Sequence, residues 1–445
     1  MFREATLCGW GRASRGRCRV ARPERIAEAR AAFAAAAGPP RGAIARGAGR
    51  SYGDAAVNDG GAVILTERLD RLLAFAPETG EVVVEPGVTF ADLLHVFLPR
   101  GWLAPVTPGT AFATIGGAVA NDVHGKNHEG AGSFGDHVRW IELLLADGSL
   151  VRTSPEERPE LFAATIGGLG LTGLILAVCF RLQRVPSDSV ELSERRIGGL
   201  GEFLAAFAER KPTYSVGWID CLARDRALGR GILETAEPSP CPAGLAARRG
   251  LRMPIEAPGW VLNRMSVAAF NALYWRRVPE AGRRRLVDYG RFFYPLDGIR
   301  DWNRIYGRRG FVQFQCVVPF ESGERALVRL LEAASAAGAA SFLAVIKAMG
   351  GEGKGLLSFP MRGYTLALDM PMRSGTAELM QRFEAITLDH GGRVYLAKDS
   401  CLSAAGFVRM YPGASRFRAM LATLDPAGRL QSSLSRRLGL WPAAE

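Results

Sequence analysis

The chain has 445 residues, 48% of them hydrophobic, and 56 Lys+Arg against 44 Asp+Glu give a formal charge of +12; that excludes an extended disordered protein and suffices for one large or two to three ordinary domains. The charge favours anionic partners such as phosphates, nucleic acid or a lipid surface, although the basic residues are nearly all Arg in an Ala- and Gly-rich chain, which reads equally as compositional bias. No RNA-recognition signature, aromatic-interleaved basic tract or zinc-finger spacing points to nucleic acid.

In chain order, Ile26, Ala29 and Phe33 share one helical face within Pro23 to Ala37, and Gly38-Pro39-Pro40 stops that helix. Ala62 to Thr66 and Val82 to Glu85 read as strands. Thr89 reads as the N-cap of a helix, with Asp92 at the capping-box position ahead of Leu93, Leu94 and Phe97. Ile141 to Ala146 and Ser149 to Thr153 flank Asp147-Gly148, a dipeptide suited to a type I′ hairpin turn. Leu169 to Phe180 is the longest apolar run, too short to cross a bilayer, which takes roughly 18 residues or more.

Pro186-Ser187-Asp188 reads as a linker, so a domain boundary falls near residue 186. Beyond it, Val190 to Arg195, Tyr214 to Cys221, Phe311 to Val318, Ser341 to Ala348 and Tyr364 to Met370 read as antiparallel strands. Helices are expected at Glu324 to Ala337 and Thr376 to His390, giving an α+β second domain. Pro238 to Arg285, rich in Arg, Gly and Pro with Trp260, Phe270, Tyr274 and Trp275, reads either as a mobile, partly structured loop or as an interfacial helix at a membrane boundary. The N-terminus lacks the pattern of a secretory signal, which points to the cytoplasm. The seven cysteines are scattered without a C-x-x-C pair, so ordinary thiols are expected.

Chemistry concentrates in glycine-rich loops. Arg46-Gly47-Ala48-Gly49-Arg50-Ser51-Tyr52-Gly53-Asp54 follows the apolar Ile44, and its glycines let successive N–H groups face an anion such as a pyrophosphate. A turn without a ligand is the alternative, since the spacing is not that of a Rossmann loop. A second stretch runs from Pro108-Gly109-Thr110 through Thr114-Ile115-Gly116-Gly117 to Asn121-Asp122-Val123-His124-Gly125-Lys126-Asn127-His128. His124 and His128 have the spacing of helical metal ligands, but Gly125 between them argues against a helix, and no metal is expected. A third, Gly167-Gly168-Leu169-Gly170-Leu171-Thr172-Gly173, leads into a strand from Leu174 to Phe180.

Taken in order, these loops, with Gly132-Ser133-Phe134-Gly135-Asp136-His137-Val138, resemble the FAD domain of the vanillyl-alcohol-oxidase superfamily. The segments His124 to His128, Trp302 to Gly307, Phe311 to Gln315 and Tyr395 to Ser400 narrow the resemblance to the decaprenylphosphoryl-β-D-ribose 2′-oxidase family. It extends from Gly9-Trp10-Gly11-Arg12 to Arg436-Arg437-Leu438 and is weakest over 238–285.

The resemblance implies an α+β, two-domain PCMH-type FAD-binding fold with an α+β substrate (cap) domain over the flavin. The FAD domain would be residues 1–186, the substrate domain 187–390, and 391–445 would return to the FAD domain. Residues 46–54 would hold the pyrophosphate; Gly109, Thr114, Ile115, Gly116, Gly117 and Asn121, Asp122, Val123, His124 would wrap the flavin; Ile175 would lie at the adenosine end and Tyr395 near the flavin. Some members carry a histidine covalently linked to FAD two residues before the loop's aromatic residue; Arg50 stands there, so non-covalent FAD is expected.

The implied reaction is oxidation of the 2′-hydroxyl of a polyprenyl-phosphate-linked ribofuranose, first half of an epimerisation to arabinose that a separate short-chain reductase completes. Lys398 is the first choice for proton transfer, with a salt bridge to Asp399 or another acid as its alternative; Tyr52 and His124 would position the sugar or flavin, with a structural hydrogen-bonding role as the alternative for His124. Lys126, Trp218, Gln315, Lys347 and Lys398 match positions around the substrate pocket, with a packing or sheet role as the alternative for Trp218 and Gln315. Members attacked by nitroaromatic inhibitors have a cysteine where this chain has Ala367, and Thr365 and Met349 also depart from the family's residues. The rival readings are a sugar-alcohol or aldonolactone oxidase acting on a soluble polyol, and a catalytically silent subunit that binds a phosphorylated lipid. Peripheral contact with a membrane is expected from the charge, the segment 238–285 and the lipid substrate.

Overall fold

The computed structural model describes residues 2–36, 41–209, 211–244, 250–338 and 341–441. The first sheet is four-stranded, in the order Arg3–Cys8, Arg15–Ala21, Ala62–Leu65, Ala43–Arg46. Its opening hairpin is antiparallel, and the remaining pairs are parallel. The crossover is the helix Ile26–Ala36, which buries Ala29, Phe33 and Ala36, the face its spacing predicts; the expected stop at 38–40 lies outside the described residues.

The second sheet is five-stranded and antiparallel, in the order Leu72–Ala76, Glu81–Val84, Leu174–Arg181, Val138–Leu144, Leu150–Thr153. The central strand Leu174–Arg181 is buried on both faces, so it reads as a continuous apolar run rather than an alternating one. Leu174 and Leu176 join the core under the helix Ile26–Ala36, whereas Val178 and Phe180 join the core around Phe90, Phe97 and Phe134. The hairpin at Asp147-Gly148 forms, but not through a type I′ turn. That turn needs positive φ at both central residues, and here Gly148 has φ 90 while Asp147 is not among the positive-φ residues. Gly148 N–H instead closes onto Leu145 C=O at 3.0 Å.

The third sheet has eight strands: Arg283–Asp288, Ser189–Ile197, Gly231–Pro238, Tyr214–Ile219, Ala344–Met349, Gly363–Pro371, Phe311–Pro319 and Arg393–Val394. Its pairs are antiparallel. Helices Leu200–Glu209, Phe320–Ala336 and Thr376–Asp389 contribute Phe203, Leu327, Leu330 and Phe383 to the core on one face. Register then fixes the other face. Gln315, Ala367, Val345 and Trp218 lie directly opposite one another across four strands; one step along, Gln313 faces Asp369, and one step the other way Val317, Thr365 and Lys347 align.

The strand Gly231–Pro238 escaped the sequence reading, and so did most of the order in 238–285. Of the described residues there, Arg264–Arg276 form a helix capped by Asn263, whose side chain accepts from the N–H groups of Met265 and Ser266. Arg283–Asp288 form the sheet's edge strand. The segment is therefore partly structured among its described residues. Among the described residues no helix is long and apolar enough to cross a membrane.

Candidate active site

A cavity of about 1050 Å³ opens between the free face of the large sheet and three loops, 45–56, 107–126 and 169–175, at the upper end of the ~300–1,000 Å³ usual for ligand pockets. The loop wall is largely backbone. Gly47, Gly49, Gly109, Gly116, Gly117, Gly170 and Gly173 line it, with Ala48 and Ser51 between. A Cβ at Gly109 would meet nothing within 4 Å, and one at Gly117 would meet only Thr114 Oγ1 at 3.1 Å, so side chains at either place would project into the void. A Cβ at Gly47 would lie 2.2 Å from Thr114 Oγ1, the atom that caps the helix Ile115–Ala120 by accepting from Gly117 N–H. Glycine is what lets the two loops close on one another.

Several polar atoms on this wall are buried without a partner: Arg50 Nε, Asn121 Oδ1 and His124 Nδ1. Each such group costs roughly 1–3 kcal/mol when left unpaired, so the cavity is shaped for a polar occupant. Arg50 is held by its guanidinium plane, 4.2 Å from the Trp10 ring centre and 5.1 Å from that of Phe112. His124 accepts from the Gln315 amide through Nε2 at 3.0 Å, and the same amide reaches Thr365 Oγ1 at 3.2 Å. Burial, with Lys347 next in effect, drives the His124 imidazole well below its ordinary pKa, so it is neutral at pH 7. Tyr395 donates to Asn121 C=O at 3.0 Å, and its ring centre lies 5.1 Å from that of His124.

Lysines converge from the opposite side. Lys398 Nζ sits 3.7 Å from the centre of the Tyr52 ring. The salt bridge to Asp399 does not form, because that carboxylate accepts from Arg437 at 2.8 Å and from the N–H groups of Cys401 and Leu402. Burial lowers the Lys398 ammonium, and Asp369 opposes the shift. Lys347 donates to Gly125 C=O at 3.3 Å, and burial, then Lys126 and Lys398, bring it down to about 7. Lys126 donates to Phe292 C=O at 2.6 Å and stands 3.7 Å from Glu234, while Trp218 donates to Phe342 C=O at 3.0 Å.

Most of the residues singled out from sequence line this one cavity: Gly47 to Tyr52, Gly109, Thr114, Gly116, Gly117, Asn121, Val123, His124, Lys126, Ile175, Trp218, Gln315, Lys347, Tyr395 and Lys398. Arg46, Gly53, Asp54, Ile115 and Asp122 do not, and each frames the loops instead. Arg46 donates to Cys8 C=O at 2.8 Å and Ala56 C=O at 3.1 Å. A Cβ at Gly53 would strike Asp399 C=O at 1.7 Å. Asp54 accepts from Arg437 at 2.8 Å, Ile115 is wholly buried in the apolar core, and Asp122 accepts from Gly135 N–H at 2.9 Å and Ser358 Oγ at 2.5 Å. The sequence reading missed Trp10, Phe112, Gln313 and the arginines Arg277, Arg285 and Arg291, all of which line the cavity. Gln313 was within reach, being two residues from Gln315 in a strand and so on its face.

An anion-ready backbone wall, buried orphan donors and acceptors and a lysine beside a tyrosine suit a flavin-binding oxidoreductase, and a family model described as an FAD binding domain matches residues 19–154. The chain is 37% identical over 451 residues, 98% of its own length and 97% of the relative's, to decaprenylphosphoryl-beta-D-ribose oxidase of Mycolicibacterium smegmatis. It is 36% identical, over 79% of its length, to an uncharacterized protein of Streptomyces coelicolor matched over 100%. A putative D-arabinono-1,4-lactone oxidase of Neurospora crassa is 28% identical over 39% of this chain and 30% of that one. This protein belongs to the decaprenylphosphoryl-β-D-ribose oxidase family, and it is an FAD-dependent oxidoreductase.

Proposed function

We propose that this protein oxidises the 2′-hydroxyl of a polyprenyl-phosphate-linked ribofuranose to the 2′-ketone. The observation that carries the reading is the full-length likeness to the mycobacterial oxidase, joined to a cavity in which Lys398, Lys347 and Lys126 supply cationic groups for a phosphorylated sugar. The likeness to the lactone oxidase covers only 39% of this chain, which favours the lipid-linked sugar over a soluble polyol.

The loops Gly47–Tyr52, Gly109 and Thr114–His124 would hold FAD without a covalent bond, since Arg50 occupies the place where a linking histidine would stand. FAD, when bound, supplies the acceptor for the hydride lost from the alcohol carbon. The chain's own residues orient the sugar and handle the proton. Lys398 Nζ, neutral in a fraction of molecules because it is buried, takes the hydroxyl proton; neutral His124 and the Gln315 amide present hydrogen-bonding atoms to the sugar or flavin; Tyr52 carries Lys398 on its ring. The division into an FAD-binding part, residues 1–186 with 391–445, and a substrate part, 187–390, belongs to the same reading, as does a short-chain reductase that reduces the ketone to complete an epimerisation to arabinose.

The test is an absorption spectrum before and after acid precipitation, followed by anaerobic addition of a polyprenyl-phosphoryl ribose. Yellow colour released into the supernatant and bleached by that substrate is the expected result. Colour that a soluble polyol bleaches and the lipid-linked sugar does not would overturn the substrate.

A further inference from the structure

Asp369 has no part in the reading above, does not line the cavity, and is wholly buried behind its wall. It stands directly opposite Gln313 in the pairing of the strands Phe311–Pro319 and Gly363–Pro371. Gln313 Nε2 donates to its Oδ1. Its other oxygen, Oδ2, and the buried hydroxyl of Tyr306 have no formed hydrogen bond, yet the two side chains act on each other, Tyr306 holding the Asp369 carboxyl down and Asp369 raising the phenol. Among the described residues Asp369 makes no direct ion pair, an arrangement that burial of a carboxylate penalises unless a cation lies near.

That cation is Lys398. The charged and titratable groups that face Lys398 are Tyr52, whose ring it overlies, His124 from the adjoining loop, Lys347 from the neighbouring strand and Asp369. Lys347, brought down to about 7, is only partly charged near neutral pH and His124 is neutral, which leaves Asp369 as the carboxylate able to balance an ammonium at Lys398. We propose that Asp369 is a positioning residue for proton transfer: with Gln313 it forms a buried polar support behind Tyr52 that keeps Lys398 basic enough to take the substrate's hydroxyl proton. The inference rests on Lys398 being the proton acceptor. In that step the substrate O–H bond breaks, an N–H bond forms at Lys398 Nζ, the hydride leaves the carbon bearing that oxygen for the acceptor that FAD supplies when bound, and the new ammonium lies in the field of Asp369, whose carboxyl burial raises to about 7 and which is ionised above it. Burial lowers Lys398 and raises Asp369, and each opposes the shift of the other. Without the carboxylate, burial acts on Lys398 unopposed, and the amine becomes a poorer base.

The experiment compares the wild-type holoenzyme with Asp369→Asn and Asp369→Glu, after matching them for flavin content. Lys398 is labelled with an amine-reactive reagent from mildly acid to alkaline pH, its rate is read by peptide mass spectrometry, and kcat/KM is followed over the same range. In Asp369→Asn the labelling midpoint should move to lower pH by about one unit, the limb of kcat/KM should follow it, kcat should fall more than KM changes, and Asp369→Glu should restore the midpoint. A uniform loss of activity with an unmoved midpoint would overturn the proposal, since a merely structural role predicts that. If Asp369→Asn does not fold, Lys398→Met reads the coupling from the other side. The protonated-carboxyl band of Asp369 in infrared difference spectra should then persist to higher pH, and an unshifted band overturns the proposal. Full activity in Lys398→Met would remove the base reading itself, a result separate from whether the midpoint moves.

Discussion

His128 lies beside the cavity rather than in it, and its role follows from one hydrogen bond: Nδ1 accepts from Gly350 N–H at 3.0 Å. Only the neutral ring, with its proton on Nε2, can do so, and burial pushes the imidazole from near 6.5 down to about 4. Between those values the unfolded chain binds the proton more readily than the folded one, so stability is intact above about pH 6.5 and is lost as pH falls toward 4, by about 3 kcal/mol. Urea titrations across that window should show the slope, and His128→Asn, whose amide oxygen can accept the same bond, should flatten it. Two further residues carry predictions on function. Lys398→Met should retain flavin and lose about 10²–10⁴-fold in kcat, the usual size of a general-base contribution, read by steady-state assay. Gly109→Leu should fold with an unchanged melting temperature, because a Cβ there has free space. Its side chain should occupy the cavity, so the purified protein should be colourless or lose its flavin on gel filtration.

The helix Phe90–Phe97 shows how an element far from the chemistry supports the site. Thr89 caps it reciprocally with Asp92, as the spacing of the two residues predicts. Beyond that cap, the first helical N–H groups, which an α-helix leaves unpaired, are taken by the cavity loop 107–126: Phe90 N–H reaches Ala113 C=O at 3.2 Å and Ala91 N–H reaches Ala111 C=O at 2.8 Å. Thr89→Ala should therefore cost about 1 kcal/mol in urea denaturation and also loosen flavin, measured as a higher Kd for FAD. The helix Arg264–Arg276 behaves otherwise. Met265 and Leu273 on it are 83% and 71% exposed, and nearby Trp260 is 75% exposed, more apolar surface than a water-facing helix needs. With arginines at both of its ends, this face suits anionic lipid. Co-sedimentation with anionic vesicles at low salt is expected, and Trp260→Ala with Leu273→Ala should reduce it.

Across the whole molecule, the ends of the chain are bound to its loops by Arg437. Its guanidinium pairs with Asp54 and Asp399, each at 2.8 Å, and donates to Leu402 C=O at 2.7 Å, joining the first glycine loop, the segment bearing Lys398 and the C-terminal helix Ser433–Arg437. Both carboxylates raise the Arg437 pKa against the effect of burial. Removing one partner of a buried pair strands the others, at about 3–5 kcal/mol, so Arg437→Leu should lower the urea midpoint by that equivalent and release flavin together with it.

Much of this was written in local sequence. The glycine loops, the Thr89 cap, the strands around residues 141, 174, 311 and 364 and the residues of the cavity wall could be read without coordinates, because backbone freedom at glycine, capping spacing and hydrophobic period act over a few residues. The helix Arg264–Arg276 is ambiguous in sequence because its exposed apolar residues blur the amphipathic period, and the turn at Gly148 differs because Asp-Gly suits more than one tight turn. Which way Asp54, Ile115 and Asp122 face, and which partner Lys398 takes, were not local questions. Gln313 meets Asp369 across 56 residues, Lys398 lies on Tyr52, and Arg437 reaches Asp54 across 383. The sequence determined where the glycine-rich loops and a candidate base occur; strand register and long-range ion pairing, which depend on every intervening element having already folded, decided which of those side chains share one cavity and which hold it from behind.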